Sequence, residues 1–130
     1  MSIISVPVSF GELLDKMSIL EIKLERISAS AKLASVRRDL ESLQATWDYA
    51  EQSKADLRQT LAALKKVNEQ LWEIEDEIRD LEREQRFDAR FIELARSVYI
   101  TNDERARLKR VINEKLGSAL VEEKSYASYR

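Results

Sequence analysis

The 130-residue chain has no cysteine and no histidine. Without cysteine there are no disulfides, no thiolate nucleophiles and no thiolate metal sites. Without histidine there is no imidazole acid–base chemistry, and most zinc and iron centres are excluded. A metal would have to be held by carboxylates alone, and acidic side chains on helices are ordinarily just solvated. Neither a metal nor a cofactor is therefore expected. Helix breakers are also scarce, with one proline (Pro7) and two glycines (Gly11 and Gly117). A chain this rich in Leu, Glu, Lys, Arg and Ala with so few breakers is predicted to be mostly helical. No apolar run approaches the roughly 20 residues of a membrane span. The opening "MSIISVPVSF" has neither a basic stretch nor the apolar run of a secretory signal. The expectation is a cytoplasmic protein that does not insert into membranes.

Charge is abundant but balanced, with 22 basic against 24 acidic residues. Basic side chains alternate with acids, as in "DKMSILEIKLER", and no aromatic platform accompanies them. This argues against nucleic acid as a partner. The length fits a single helical domain over residues 1–130.

Along the chain, "SIISVPV" is β-branched and broken by proline, which predicts a short extended arm. Ser9 and Glu12 have the spacing of a capping box, and a seam of Leu13, Met17, Leu20, Leu24 and Ile27 follows. The phase breaks at "SASA", where Ser28 or Ser30 is expected to cap a second helix with the stripe Leu33, Val36, Leu40, Leu43, Trp47, the alternative being one continuous helix with a kink. A turn is placed near 50–54, with Ser53 and Asp56 as a cap for the third helix, which runs to about residue 85. Phe87–Tyr99 reads as a fourth helix. Thr101 and Glu104 form another capping box, opening a fifth that stops at Gly117. The tail, with Tyr126 and Tyr129, is expected to dock back on the body. The fold class is all-α, an antiparallel four- or five-helix bundle with a short extended N-terminal arm.

Two stretches carry candidate chemistry. In "VNEQLWEIEDEIRDLE", an apolar stripe (Val67, Leu71, Ile74, Ile78, Leu81) is flanked by a polar one: Asn68, Trp72, Glu75, Arg79. In "ARSVYITNDERARLKRVINEK", Arg96 and Tyr99 share a face, and Asn102, Arg105, Lys109 and Asn113 follow one turn apart. Residues 101–115 hold five basic and three acidic side chains, whereas residues 73–84 hold seven acidic and two basic. The two segments are expected to pack, bringing Glu75 or Asp76 near Arg96, Arg105 or Lys109. Trp72 is expected to be buried between helices. Such a cluster is either a structural lock, closed on itself, or an anion site in which Arg and Lys clamp a carboxylate or phosphate.

The segments "VPVSFGELLDKMSILEIKLERI", "VNEQLWEIEDEIR" and "FIELARSVYITNDERARLKRVINEKLGSALVEEKSY" resemble a small family of bacterial helical proteins defined only as a domain of unknown function. The resemblance covers most of the chain except roughly residues 45–60. Its pattern includes Gly11, Glu12, Asp15, Lys16, Asn68, Trp72, Glu75, Arg79, Arg96, Tyr99, Asn102, Asp103, Arg105, Lys109 and Asn113. The family has no assigned reaction, so the resemblance implies little about activity. It does imply a gene context near cell-surface polysaccharide and lipopolysaccharide genes, including glycosyltransferases.

The leading expectation is a non-catalytic accessory or protein-interaction protein, binding a protein partner or self-associating, in a surface-polysaccharide context. The alternative is a small helical enzyme or anion-binding protein of the chorismate-mutase type, taking a small anionic ligand. Arg79, Arg96, Arg105 and Lys109 would be its cations, with Glu75 or Asn68 orienting the ligand. The first helix has a faint likeness to that fold but lacks the early arginine expected there.

Overall fold

The computed structural model describes residues 2–120 and 122–129. Among the described residues are four α-helices: α1 (Phe10–Arg26), α2 (Ser30–Tyr49), α3 (Arg58–Arg83) and α4 (Ala89–Leu116). A short 3-10 turn, Glu51–Lys54, joins α2 to α3, where the turn was expected. No strand occurs among the described residues, and residues 2–8 are exposed and without regular structure. No helix among them is long and apolar enough to cross a membrane.

Helix α1 touches α2, α3 and α4, while α3 and α4 pack along each other and α2 leans on α1. This central position explains the burial pattern of α1. Leu13, Leu14 and Met17 face one core cluster with Trp47, Leu57, Leu64, Val67, Leu108 and Ile112. A second line in steps of four, three and four, Gly11, Asp15, Ser18 and Ile22, is buried as well. Phe10 meets Trp47 edge to face, with ring centroids 6.2 Å apart.

The helix ends account for most departures from expectation. Ser9 caps α1, its Oγ accepting from the Glu12 amide at 3.1 Å. Glu12 turns to Lys109 and Lys16. Ala29, not Ser28 or Ser30, occupies the cap position of α2, without a side-chain hydrogen bond. Asp56 accepts from the Arg58 amide at the start of α3, and Ser53 bonds back to the Ala50 carbonyl. The predicted fourth and fifth helices are one. Asp88 caps α4 by accepting from the Phe91 amide, and the helix runs through Thr101, so the second capping box does not form. Glu104 pairs with Arg107 on the surface instead. The seams of the two predicted segments join without a phase break, and a serine- or threonine-type signal inside a continuous seam carries no turn.

Between α3 and α4, the Arg86 amide bonds the Leu81 carbonyl and the Gln85 amide bonds that of Glu82. This is a Schellman turn with Gln85 at φ 57°, where glycine is the usual residue. Gly117 ends α4 in the left-handed region (φ 65°), as its place in the sequence predicts.

Candidate functional site

The site is built where α1, α3 and α4 meet. Asp15 lies on the inner line of α1 and is fully buried. Its Oδ1 accepts from Asn68 Nδ2 and from Arg105 Nε, each at 2.9 Å, and its Oδ2 accepts from Arg105 Nη2. The Arg105 fork thus grips the carboxylate with two parallel donors, the geometry in which guanidinium binds carboxylate best. Asn68 also donates to Ser18 Oγ at 3.3 Å. The Asp15 hydrogen bonds hold the Arg105 guanidinium even more firmly protonated than usual.

One turn away, Lys109 Nζ sits between two carboxylates, donating to Glu12 Oε2 at 2.7 Å and to Glu122 Oε2 at 2.8 Å. Burial alone would lower the lysine pKa. The two carboxylates outweigh it and hold the ammonium above its ordinary range. Glu122, on the tail, is in turn held below the ordinary glutamate range by Lys109.

These pairs form because α1 and α4 approach very closely. A Cβ added at Gly11 would lie 2.5 Å from the Lys109 carbonyl oxygen. The approach also completes the start of α1, whose first amides have no partner within the helix. Phe10 N–H donates to Ser118 Oγ, Gly11 N–H to Asn113 Oδ1 at 2.7 Å, and Glu12 N–H to Ser9 Oγ. Among the described residues, every buried side-chain nitrogen and oxygen has a partner. The hollow left beside the cluster, lined by Asn102, Arg105, Ala106, Lys109, Glu122 and Lys124, is ≈ 50 Å³.

Of the nine residues singled out in sequence, Asn68, Arg105 and Lys109 meet here, and Asn102 borders the hollow. The other five lie elsewhere. Glu75 and Arg79 pair with each other along the surface of α3. Arg96 is exposed, and Tyr99 meets Tyr129 of the tail at a tilt, with ring centroids 5.1 Å apart. Trp72 is half-buried, and the buried tryptophan is Trp47. The cause is the length of α1: it ends beside Glu69 and Glu73, which Arg26 contacts, so Trp72 sits near the edge of what α1 covers.

The expected packing of α3 on α4 is present. The acids that meet Arg105 and Lys109, however, come from α1 and the tail, not from Glu75 or Asp76. Asp15, Glu12 and Glu122 were outside the candidate set. The four-three-four line from Gly11 to Ile22 was the signal for Asp15.

Among the described residues, no group of three or more acidic side chains stands close enough to hold a metal ion. A family model described as a family of unknown function, DUF6165, matches residues 4–129. The chain belongs to that family. The match runs from residue 4 through the tail that carries Glu122. No curated protein and no solved structure matches the chain.

Proposed function

We propose that this chain is a non-catalytic accessory protein of the bacterial cytoplasm, one helical domain that works by binding another protein in surface-polysaccharide biosynthesis. The observation that carries the reading is that Arg105 and Lys109 are neutralised inside the fold, by Asp15, Glu12 and Glu122. The space beside them, ≈ 50 Å³, suits about one or two waters. An enzyme of the chorismate-mutase type needs open cations in a pocket of roughly 300 Å³ or more. The polysaccharide context rests on the family resemblance alone.

The paired residues support an antiparallel arrangement of α1 with α4. Gly11 meets Asn113, Glu12 meets Lys109 and Asp15 meets Arg105, in opposite chain order. Residues 2–8 are read as an extended arm. We assign the partner surface to α4, where Ile92, Arg96, Tyr99 and Ile100 share one face that Tyr129 of the tail borders at Tyr99. Ile92 is 58% exposed, Tyr99 43% and Ile100 41%. An exposed apolar stripe with an arginine in it is the composition of a binding hot spot.

The test is affinity capture from the native host with the wild-type chain and with Ile92→Asp/Ile100→Asp. The expected result is a protein recovered in stoichiometric amount by the wild type and lost by the variant, with circular dichroism and melting unchanged. A wild-type chain that retains no protein overturns the reading. Recovery of a partner unrelated to glycan assembly removes the polysaccharide context and leaves the interaction role.

A further inference from the structure

The chain beyond Gly117 holds no helix or strand among its described residues; Ser118 meets Phe10 of α1, Glu122 meets Lys109 and Tyr129 meets Tyr99 of α4, and residues 122–129 are all exposed. Beneath its later part lies a cavity of ≈ 430 Å³ against α4, lined in part by Ile100, Glu104, Arg107, Tyr126 and Tyr129. A solvent-exposed segment without regular structure, lying over a cavity, belongs to the low-stability end of a structure. Yet this segment delivers a carboxylate to Lys109, which is only 8% exposed.

The charges show what the body itself requires. Within it Asp15 is held by Arg105, and Lys109 shares the remaining acid, Glu12, with Lys16, which is 55% exposed. Glu122 gives Lys109 a second carboxylate, and Lys124 of the same tail lines the hollow beside it. Lys109 has three donors; Glu12 takes one from the body side, and the tail takes another from the outer side.

We propose that the face of α1 and α4 around Lys109 is a docking site for an extended acidic peptide, filled in this chain by its own tail with Glu122 as the inserted carboxylate. A partner that presents a glutamate or aspartate on an extended segment displaces the tail and pairs with Lys109. The inference builds on the protein-binding reading and adds the chemistry of the partner. The lowered pKa of Glu122 agrees with it, since Lys109 selects the charged carboxylate.

The test uses the full chain with Glu122→Gln, whose tail no longer supplies the anion. The probes are two labelled synthetic peptides with the sequence of residues 117–130, one unchanged and one with glutamine in place of Glu122. Fluorescence anisotropy reads binding at low and high salt. The variant should bind the glutamate peptide at least about tenfold more tightly than the glutamine peptide, because a charge-assisted hydrogen bond separates them. It should also bind the glutamate peptide at least about tenfold more tightly than the wild-type chain does, and salt should weaken that binding. Equal binding of the two peptides, or binding of neither, overturns the site. Lys109→Met combined with Glu122→Gln should abolish the preference; should that chain fail to fold, the two-peptide comparison decides alone. A chain that captures its native partner while Glu122→Gln ignores both peptides loses this site and keeps the interaction role.

Discussion

The same chemical motif occurs twice in this molecule with opposite surroundings. Arg105 grips Asp15 with two donors, and Arg90 grips Glu77 with two, at 2.6 and 2.7 Å. The Asp15 side chain is 1% exposed, whereas Arg90 and Glu77 are 44% and 45% exposed. The first pair ties α1 to α4 at the centre of the fold, and the second ties α3 to α4 near the turn between them. Water and salt compete freely for the second pair. For the first, the Asp15 carboxylate is shut off from solvent and Asn68 satisfies a further position on it. The difference teaches that burial, not the identity of the partners, decides which ion pair a fold depends on. A buried pair is also costly to desolvate, so its worth appears mainly when one member is removed.

The sharpest way to break the comparison is therefore Arg105→Ala. It strands the buried Asp15 carboxylate, and the expected loss is about 3–5 kcal/mol in urea unfolding. Replacing both partners, Asp15→Leu with Arg105→Met, should recover most of that loss, because no charge is then left unpaired. A single variant as stable as the wild type would mean that water reaches Asp15, and the distinction between the two pairs would collapse.

This buried pair also marks the limit of what the sequence made legible. The all-helical class, the Ser9 cap, the turn near 50–54 and the Gly117 stop each rest on a local signal and each is present. Asn68, Arg105 and Lys109 were singled out because they border apolar seams at helical spacing. Their partners were not, for two physical reasons. Helix α1 is buried on more than one side, so Asp15 lies off the seam of Leu13, Met17 and Leu20 yet is more deeply buried than any of them. Glu122 comes from a segment with no periodicity, so no pattern places it against Lys109. Pairing by charge balance alone pointed to Glu75 and Asp76, but side chains meet according to which helices touch.

Close approach of α1 to α4 gives the second prediction. Gly11→Ala would place a methyl group 2.5 Å from the Lys109 carbonyl oxygen, which belongs to backbone and cannot rotate away. The helices must separate, and overpacking of this kind costs about 1–3 kcal/mol. The same shift should lengthen the Asp15–Arg105 contact and leave Glu77–Arg90 untouched. Arg105→Ala should then cost less in a Gly11→Ala background than alone, and a double-mutant cycle reads that coupling. Strict additivity would show that the buried pair does not depend on the close approach.

A third prediction separates a helix start from a helix interior. Ser9→Ala removes the acceptor of the Glu12 amide beside the buried cluster and should cost about 1 kcal/mol. Thr101→Ala has the same sequence signature but lies inside α4, where alanine is the better helix former. It should be neutral or slightly stabilising in thermal melts. A loss at Thr101 equal to that at Ser9 would restore a helix boundary within α4.

The smallest effect is expected at the exposed pair. Arg90→Ala should leave the urea midpoint unchanged within error at about 0.15 M salt, where screening acts within roughly 8 Å. Its trace should appear only in pH dependence at low salt. The hydrogen bond from Arg90 holds the Glu77 carboxyl below the ordinary glutamate range. A carboxylate with a depressed folded pKa stabilises above its unfolded pKa, and that contribution disappears as the pH falls through the lower, folded value. The wild-type chain should therefore lose slightly more stability than Arg90→Ala on acidification through and below the ordinary glutamate range, and the two should converge once Glu77 is protonated. Nuclear magnetic resonance titration of Glu77 in both chains measures the shift directly. A Glu77 that titrates identically in the two chains would mean that the pair is not formed in solution. A clear drop in midpoint at physiological salt would mean that the Arg90–Glu77 pair is as deeply engaged as Asp15–Arg105, and that burial does not separate them.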